Sequence, residues 1–111
     1  MKQIKFGFKN YSWGANKDEL HQIDVGNALY QYFEHGKCLK SLNMSQNVLA
    51  MVCDVVEKIC ADFPQSEFAY DAPIWTLQID EKSCTRIADK QSDAIYRQLS
   101  EVFLTLQTYS N

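Results

Sequence analysis

The chain opens on an alternation. Ile4, Phe6 and Phe8 fall on one side of an extended backbone, with Lys2 as the one mismatch, and Gln3, Lys5 and Gly7 fall on the other. Successive side chains of a strand point to opposite faces, so a period of two predicts a half-buried strand over residues 2–8. Its outward lysine suits an edge position. From Lys9 to Ile23 no period is clear. Asn10, Ser12, Gly14 and Asn16 are residue types that turn a backbone, and the stretch reads as a loop with room for one helical turn at 17–21. Irregular runs of that length in small domains are often functional.

Asp24 has the chemistry of a helix N-cap. Val25, Leu29 and Phe33 follow at i, i+4 and i+8, with Ala28 and Tyr32 beside them, and Gly36 can take a left-handed stop. That spacing predicts a helix over 25–35. Ser45 is the next N-cap. Behind it Val48, Val52, Val55, Ile59 and Phe63 form one stripe, and Leu49, Cys53, Val56 and Cys60 form a second. Two adjacent stripes make an apolar arc wider than a surface helix needs. The expectation is a central helix over 46–62, contacted on two sides and ended by Pro64.

After Pro73 the run IWTLQI, residues 74–79, reads as a buried strand. Residues 83–87 fit the first turns of the last helix, the reading favoured here, or a strand closing a hairpin over Asp80, Glu81 and Lys82. From Asp93 onward Ile95, Leu99, Val102, Phe103 and Leu106 mark one helix face to about residue 107, with Arg97 and Glu101 at i,i+4. The expected fold is α+β: a single domain over 1–111, with three helices packed on a short two- or three-stranded sheet in the order β-α-α-β-(β)-α.

Composition adds bounds. With 111 residues, 46% of them hydrophobic and 23% charged, the chain has ordinary globular usage and enough length for one core. Its longest purely apolar run, Val48 to Cys53, is six residues, against the ~20 a membrane-spanning helix needs. The start, MKQIKFGFKNYSWG, holds no apolar run of a secretory signal. A cytoplasmic location with reduced thiols is therefore expected.

Little chemistry is visible. Cys38, Cys53, Cys60 and Cys84 are spaced 15, 7 and 24 apart, with no C-x2-C pair, and His35 with Cys38 makes only one H-x2-C. No metal site is expected, and Cys53 and Cys60 read as small hydrophobes. There is no nucleophile elbow, Gly-rich phosphate loop or H-E-x-x-H, so no catalytic residue, cofactor or enzyme activity is expected. His21 falls in the loop. His35 falls at a helix end, where the dipole explains it. A pI near 5.2, a net charge of −3 and a single weakly basic segment over 1–17 argue against direct contact with nucleic acid.

One asymmetry changes the picture. Between Lys58 and Lys82 there is no cation, and residues 41–81 carry one lysine against seven acids, a net −6. Inside that interval PQSEFAYDAP, residues 64–73, offers Glu67, Phe68, Tyr70 and Asp71. The earlier loop offers Tyr11, Trp13, Asp18 and Glu19. Carboxylates beside large amphipathic rings steer and anchor protein partners, so these eight residues are the expected partner-binding set. The expected function is a specific protein-binding module. Its sharpest form is a small acidic inhibitor that neutralises a basic partner such as a nuclease, as immunity proteins and antitoxins of this size and acidity do. Competing readings are a homo-oligomeric assembly subunit, a small-molecule binder with a pocket near Trp75, and plain solvated loops whose rings seal the core.

Overall fold

The computed structural model describes residues 1–11, 14–67, 72–88 and 93–109. Strands β1 (Gln3–Asn10), β2 (Lys17–Asp24), β3 (Leu29–Glu34) and β4 (Lys37–Asn43) precede helix α1 (Gln46–Ile59); strands β5 (Ile74–Ile79) and β6 (Lys82–Ile87) precede helix α2 (Ala94–Thr108). The strands form one sheet in the order β4-β3-β2-β1-β5-β6, antiparallel at every pairing. Six strands with two helices replace the expected three helices on two or three strands.

One face of the sheet holds the core. Ile4, Phe6, Ile23, His21, Tyr30, Tyr32, Leu42, Leu77, Trp75 and Cys84 are buried at alternate positions. Leu49, Val52 and Val56 of α1, with Tyr96, Leu99, Phe103 and Leu106 of α2, bury against them. The opposite face is left bare by both helices and carries residues such as Lys5, Leu20, Gln22, Gln31, Thr76 and Gln78.

Four corrections follow. β1 is not an edge strand: it pairs with β2 on one side and β5 on the other. The presumed loop over Lys9–Ile23 holds the end of β1 and nearly all of β2. The helix expected over 25–35 is a turn followed by β3. Its N-cap signal is real chemistry used differently, because the Asp24 carboxylate accepts from the Asn27 backbone N–H and side chain inside the β2–β3 turn. Gly36 does take positive φ, at 76°, but next to His35 at 50°, which makes a tight β3–β4 hairpin rather than a helix stop. His35 therefore sits on a turn and has no helix dipole to answer. Finally, residues 82–87 are the hairpin strand, turning at Asp80 with φ 53°.

α1 starts where the sequence places it, and α2 starts after Asp93, without the earlier turns expected over 83–87. Ser45 Oγ accepts from Val48 N–H at 3.2 Å, and Asp93 Oδ1 accepts from Tyr96 N–H at 3.2 Å. α1 ends at Ile59, before Pro64, and it is not enclosed: Met51 is 67% and Val55 38% exposed. The sheet edges are covered or charged. Gln65–Glu67 runs beside β6, with Glu67 N–H donating to Thr85 O at 2.8 Å and Ser66 Oγ accepting from Thr85 N–H at 3.1 Å. On β4, Lys40 Nζ donates to Gln107 O at 2.6 Å and to Tyr109 O, tying that edge to the C-terminus of α2.

Candidate functional site

The site is built on β2. Alternation puts Lys17, Glu19, His21 and Ile23 on the helix-covered face and Asp18, Leu20 and Gln22 on the bare one. Across the ladders His21 stands between Phe6 and Tyr32, and Glu19 stands between Phe8 and Glu34. Over this stretch α2 lies as a roof, lowering Tyr96, Ser100, Leu104 and Gln107 toward the strands. Between roof and sheet remains a cleft of about 250 Å³.

His21 closes the inner end. It is 8% exposed and packed among rings, with centroids of Tyr32 at 4.8 Å, Phe103 at 5.2 Å and Phe6 at 6.0 Å. Burial pushes its pKa down to about 4, so the imidazole is neutral at physiological pH. Nδ1 lies 2.7 Å from the Tyr30 hydroxyl, which burial holds far above the ordinary phenol range. Tyr30 is wholly buried, and among the described residues His21 is the one partner of its O–H. A buried O–H needs an acceptor, so the phenol donates to Nδ1 and the imidazole proton sits on Nε2.

Beside it two carboxylates face each other. Glu19 of β2 and Glu34 of β3 are direct cross-strand partners, an arrangement that like charge disfavours. Tyr32 Oη donates to Glu34 Oε1 at 2.8 Å. The Tyr32 phenol is raised by burial, then by that hydrogen bond, then by the charges of Glu19 and Glu34. Among the described residues no Lys or Arg forms an ion pair with Asp18, Glu19 or Glu34. Lys17 and Lys37 stand on the same rim.

A second polar cluster fixes the roof. Asp93 is 8% exposed, and its Oδ2 accepts from Trp75 Nε1 at 3.1 Å and from Arg86 Nε at 3.2 Å, while Oδ1 caps α2. Trp75 is wholly buried and stacks on Tyr96 at 5.8 Å. Its ring reaches no surface, and the cleft beside it lies one ring removed, beyond Tyr96.

The expected partner-binding residues are partly dispersed. Tyr11 Oη donates to Asp18 Oδ2 at 3.2 Å, on a side chain 59% exposed. Asp18 and Glu19 sit on opposite faces of β2. Glu67 is drawn to Arg86, 3.5 Å away, beside the β6 edge. Trp13, Phe68, Tyr70 and Asp71 lie outside the described residues. The acids of the −6 interval do not gather either: Asp54 pairs with Lys58 on α1 at 2.9 Å, and Asp80 and Glu81 turn the β5–β6 hairpin. That hairpin is at the far end of the sheet from Tyr11. Asp80 is held low by backbone N–H groups of Lys2 and Gln3.

Register nevertheless joins the two segments that the sequence marks out. Lys9 of β1 pairs with Ile74, the first residue of β5, and Asn10 pairs with Lys17. The β1–β2 connection and the approach to β5 thus share one end of the sheet, with Glu34 on the neighbouring turn.

Among the described residues no three His, Cys, Asp or Glu side chains cluster to hold a metal ion, and no helix is long and apolar enough to cross a membrane. Burial pushes the Cys60 thiol up to about 11, away from thiolate reactivity. The sequence reading missed His21, Tyr96 and Ser100 as site residues. Their signal was the alternation Glu19, His21, Ile23, obscured because two of its three inward positions are polar. Comparison with known proteins adds no relative: no family model matches the chain, and neither a curated protein nor a solved structure matches it significantly.

Proposed function

We propose that the chain is a specific protein-binding module acting in a reducing, cytoplasmic setting, and that it docks a basic partner with the sheet end bearing Tyr11, Asp18 and Glu34. The observation that carries the reading is the convergence of Glu19 and Glu34 with Asp18 beside the exposed Tyr11 ring, without an ion pair to any described cation. Like charge at Glu19 and Glu34 costs stability in the free protein, although Lys9 stands opposite Asp18 and Lys37 opposite Glu34 without closing an ion pair, and a cationic partner relieves it while gaining a steered encounter. In its sharpest form the chain is an inhibitor, and its partner a basic enzyme such as a nuclease. Glu67, engaged by Arg86, and the scattered acids of α1 and the β5–β6 turn are not part of the docking face.

The test is a matched pair of charge reversals against a partner recovered with the wild type at low salt. Asp18→Lys with Glu34→Lys is expected to slow association by about tenfold or more, an effect that fades as salt rises. Asp54→Lys with Glu57→Lys changes net charge equally on α1 and is expected to leave the rate nearly unchanged. Equal effects of the two pairs, or none from the first, would contradict the proposed face.

A further inference from the structure

The cleft under α2 has polar groups that restrict what can enter it. His21, nine-tenths buried, spends Nδ1 on Tyr30 and keeps its proton on Nε2. No described residue bonds Nε2, yet no buried side-chain polar atom of the described residues lacks a partner. Nε2–H is therefore open to water through the cleft that the ring lines, as a donor awaiting an acceptor. Two residues along the same face stands Glu19, an acceptor without an ion partner. The walls are rings: Phe8 and Tyr96 are nearly parallel, 13° apart with centroids 6.4 Å distant, and Phe6 lies deeper.

These features exclude simple occupants. A plain anion meets Glu19, and a plain cation meets Nε2–H with Lys17 at the rim. An alkyl group leaves both polar groups unpaired. What satisfies all of them is a flat molecule with an acceptor and a donor side by side. The volume, about 250 Å³, lies below the roughly 300–1,000 Å³ of drug-sized pockets and sets the ligand at one or two rings.

We propose that this cleft binds a small planar heterocycle through a lactam edge, with its carbonyl on His21 Nε2–H and its N–H on Glu19, as oxo-pyrimidines and oxo-purines present. The site shares Glu19 with the acidic sheet end, but it depends in addition on His21 and the α2 roof, which the docking face does not use.

The experiment is an NMR titration of the whole chain with uracil and with hypoxanthine, using 1,3-dimethyluracil as the probe without a donor. Saturable shifts are expected at the His21 ring nitrogens and at the rings of Phe8 and Tyr96, with dimethyluracil binding about tenfold more weakly or not at all. Glu19→Leu is expected to weaken uracil by about tenfold. Leu104→Trp, at a position 58% exposed over the mouth, is expected to block binding while the amide spectrum stays native. Asp18→Lys alone, on the opposite face of β2 from Glu19, leaves the titration in place, which separates this site from the docking face. Absence of saturable shifts with both probes, shifts centred outside the cleft, or equal affinity for dimethyluracil would overturn the proposal.

Discussion

At His21 the cost of burying an ionisable ring is met by keeping it neutral. Packed around it are Tyr30 and Tyr32 of β3, Phe6 of β1 and Phe103 of α2, while Lys17, Glu19 and Tyr96 line the same cleft, and desolvation by the packing lowers its pKa from 6.5 to about 4. Above pH 6.5 the ring is neutral in folded and unfolded chains alike, so it imposes no penalty. Below 6.5 the unfolded chain takes a proton that the native chain refuses, and stability falls until the pH reaches about 4. At pH 4.5 the loss from this group is roughly 2–3 kcal/mol. Urea unfolding at pH 7 and pH 4.5 is expected to show the wild type losing about that much more than His21→Gln, whose amide does not titrate. Carboxylates such as Asp80 titrate in both proteins and cancel in the comparison. Equal losses would mean the ring is not buried as described.

Among the elements, those that fail from the sequence fail for a common physical reason. Val25, Leu29 and Phe33 are spaced by four, and four is near a helical turn but also an even number, so the same residues share a face of a strand. What decides between them is composition: Tyr30, Tyr32 and Phe33 favour a pleated surface, and Gly26 disfavours a helix. β2 escapes notice because Glu19 and His21, both polar, occupy core-side positions, and that irregularity marks the candidate site itself. β4 has little pattern to read, since Leu42 is its one fully buried side chain. By contrast β5, the Ser45 cap and the start of α1 were legible, each resting on a local rule that tertiary packing did not override, whereas at Asp93 the pattern marks the beginning of a helix face and not its cap. The β3–β4 hairpin gives a sharp check. At φ 76°, Gly36→Ala is expected to cost about 1 kcal/mol in urea unfolding, while Gly26→Ala, with ordinary φ and room for a methyl, is near neutral. A helix over 25–35 demands instead a clear gain from Gly26→Ala.

Over the whole molecule, a six-stranded sheet with two helices on one face leaves three kinds of surface: the bare face, an apolar groove between α1 and α2 around Met51, Val55 and Val102, and the sheet end with its roofed cleft. Among the described residues, only the last brings charge, rings and a buried polar donor together. The sequence carried half of that end, in Tyr11, Asp18 and Glu19, but the meeting of Glu19 with Glu34 and of His21 with α2 depends on strand order, which a local pattern does not encode. All of it requires that residues 17–24 run as a strand beneath α2. The most direct measurement is the pH titration of the His21 ring nitrogens by long-range proton–nitrogen NMR. The structure requires a neutral ring with its proton on Nε2, titrating near pH 4 and showing contacts to Tyr32 and Phe103. A ring that titrates near 6.5, or that carries its neutral proton on Nδ1, would place His21 in an open loop and remove the cleft with it.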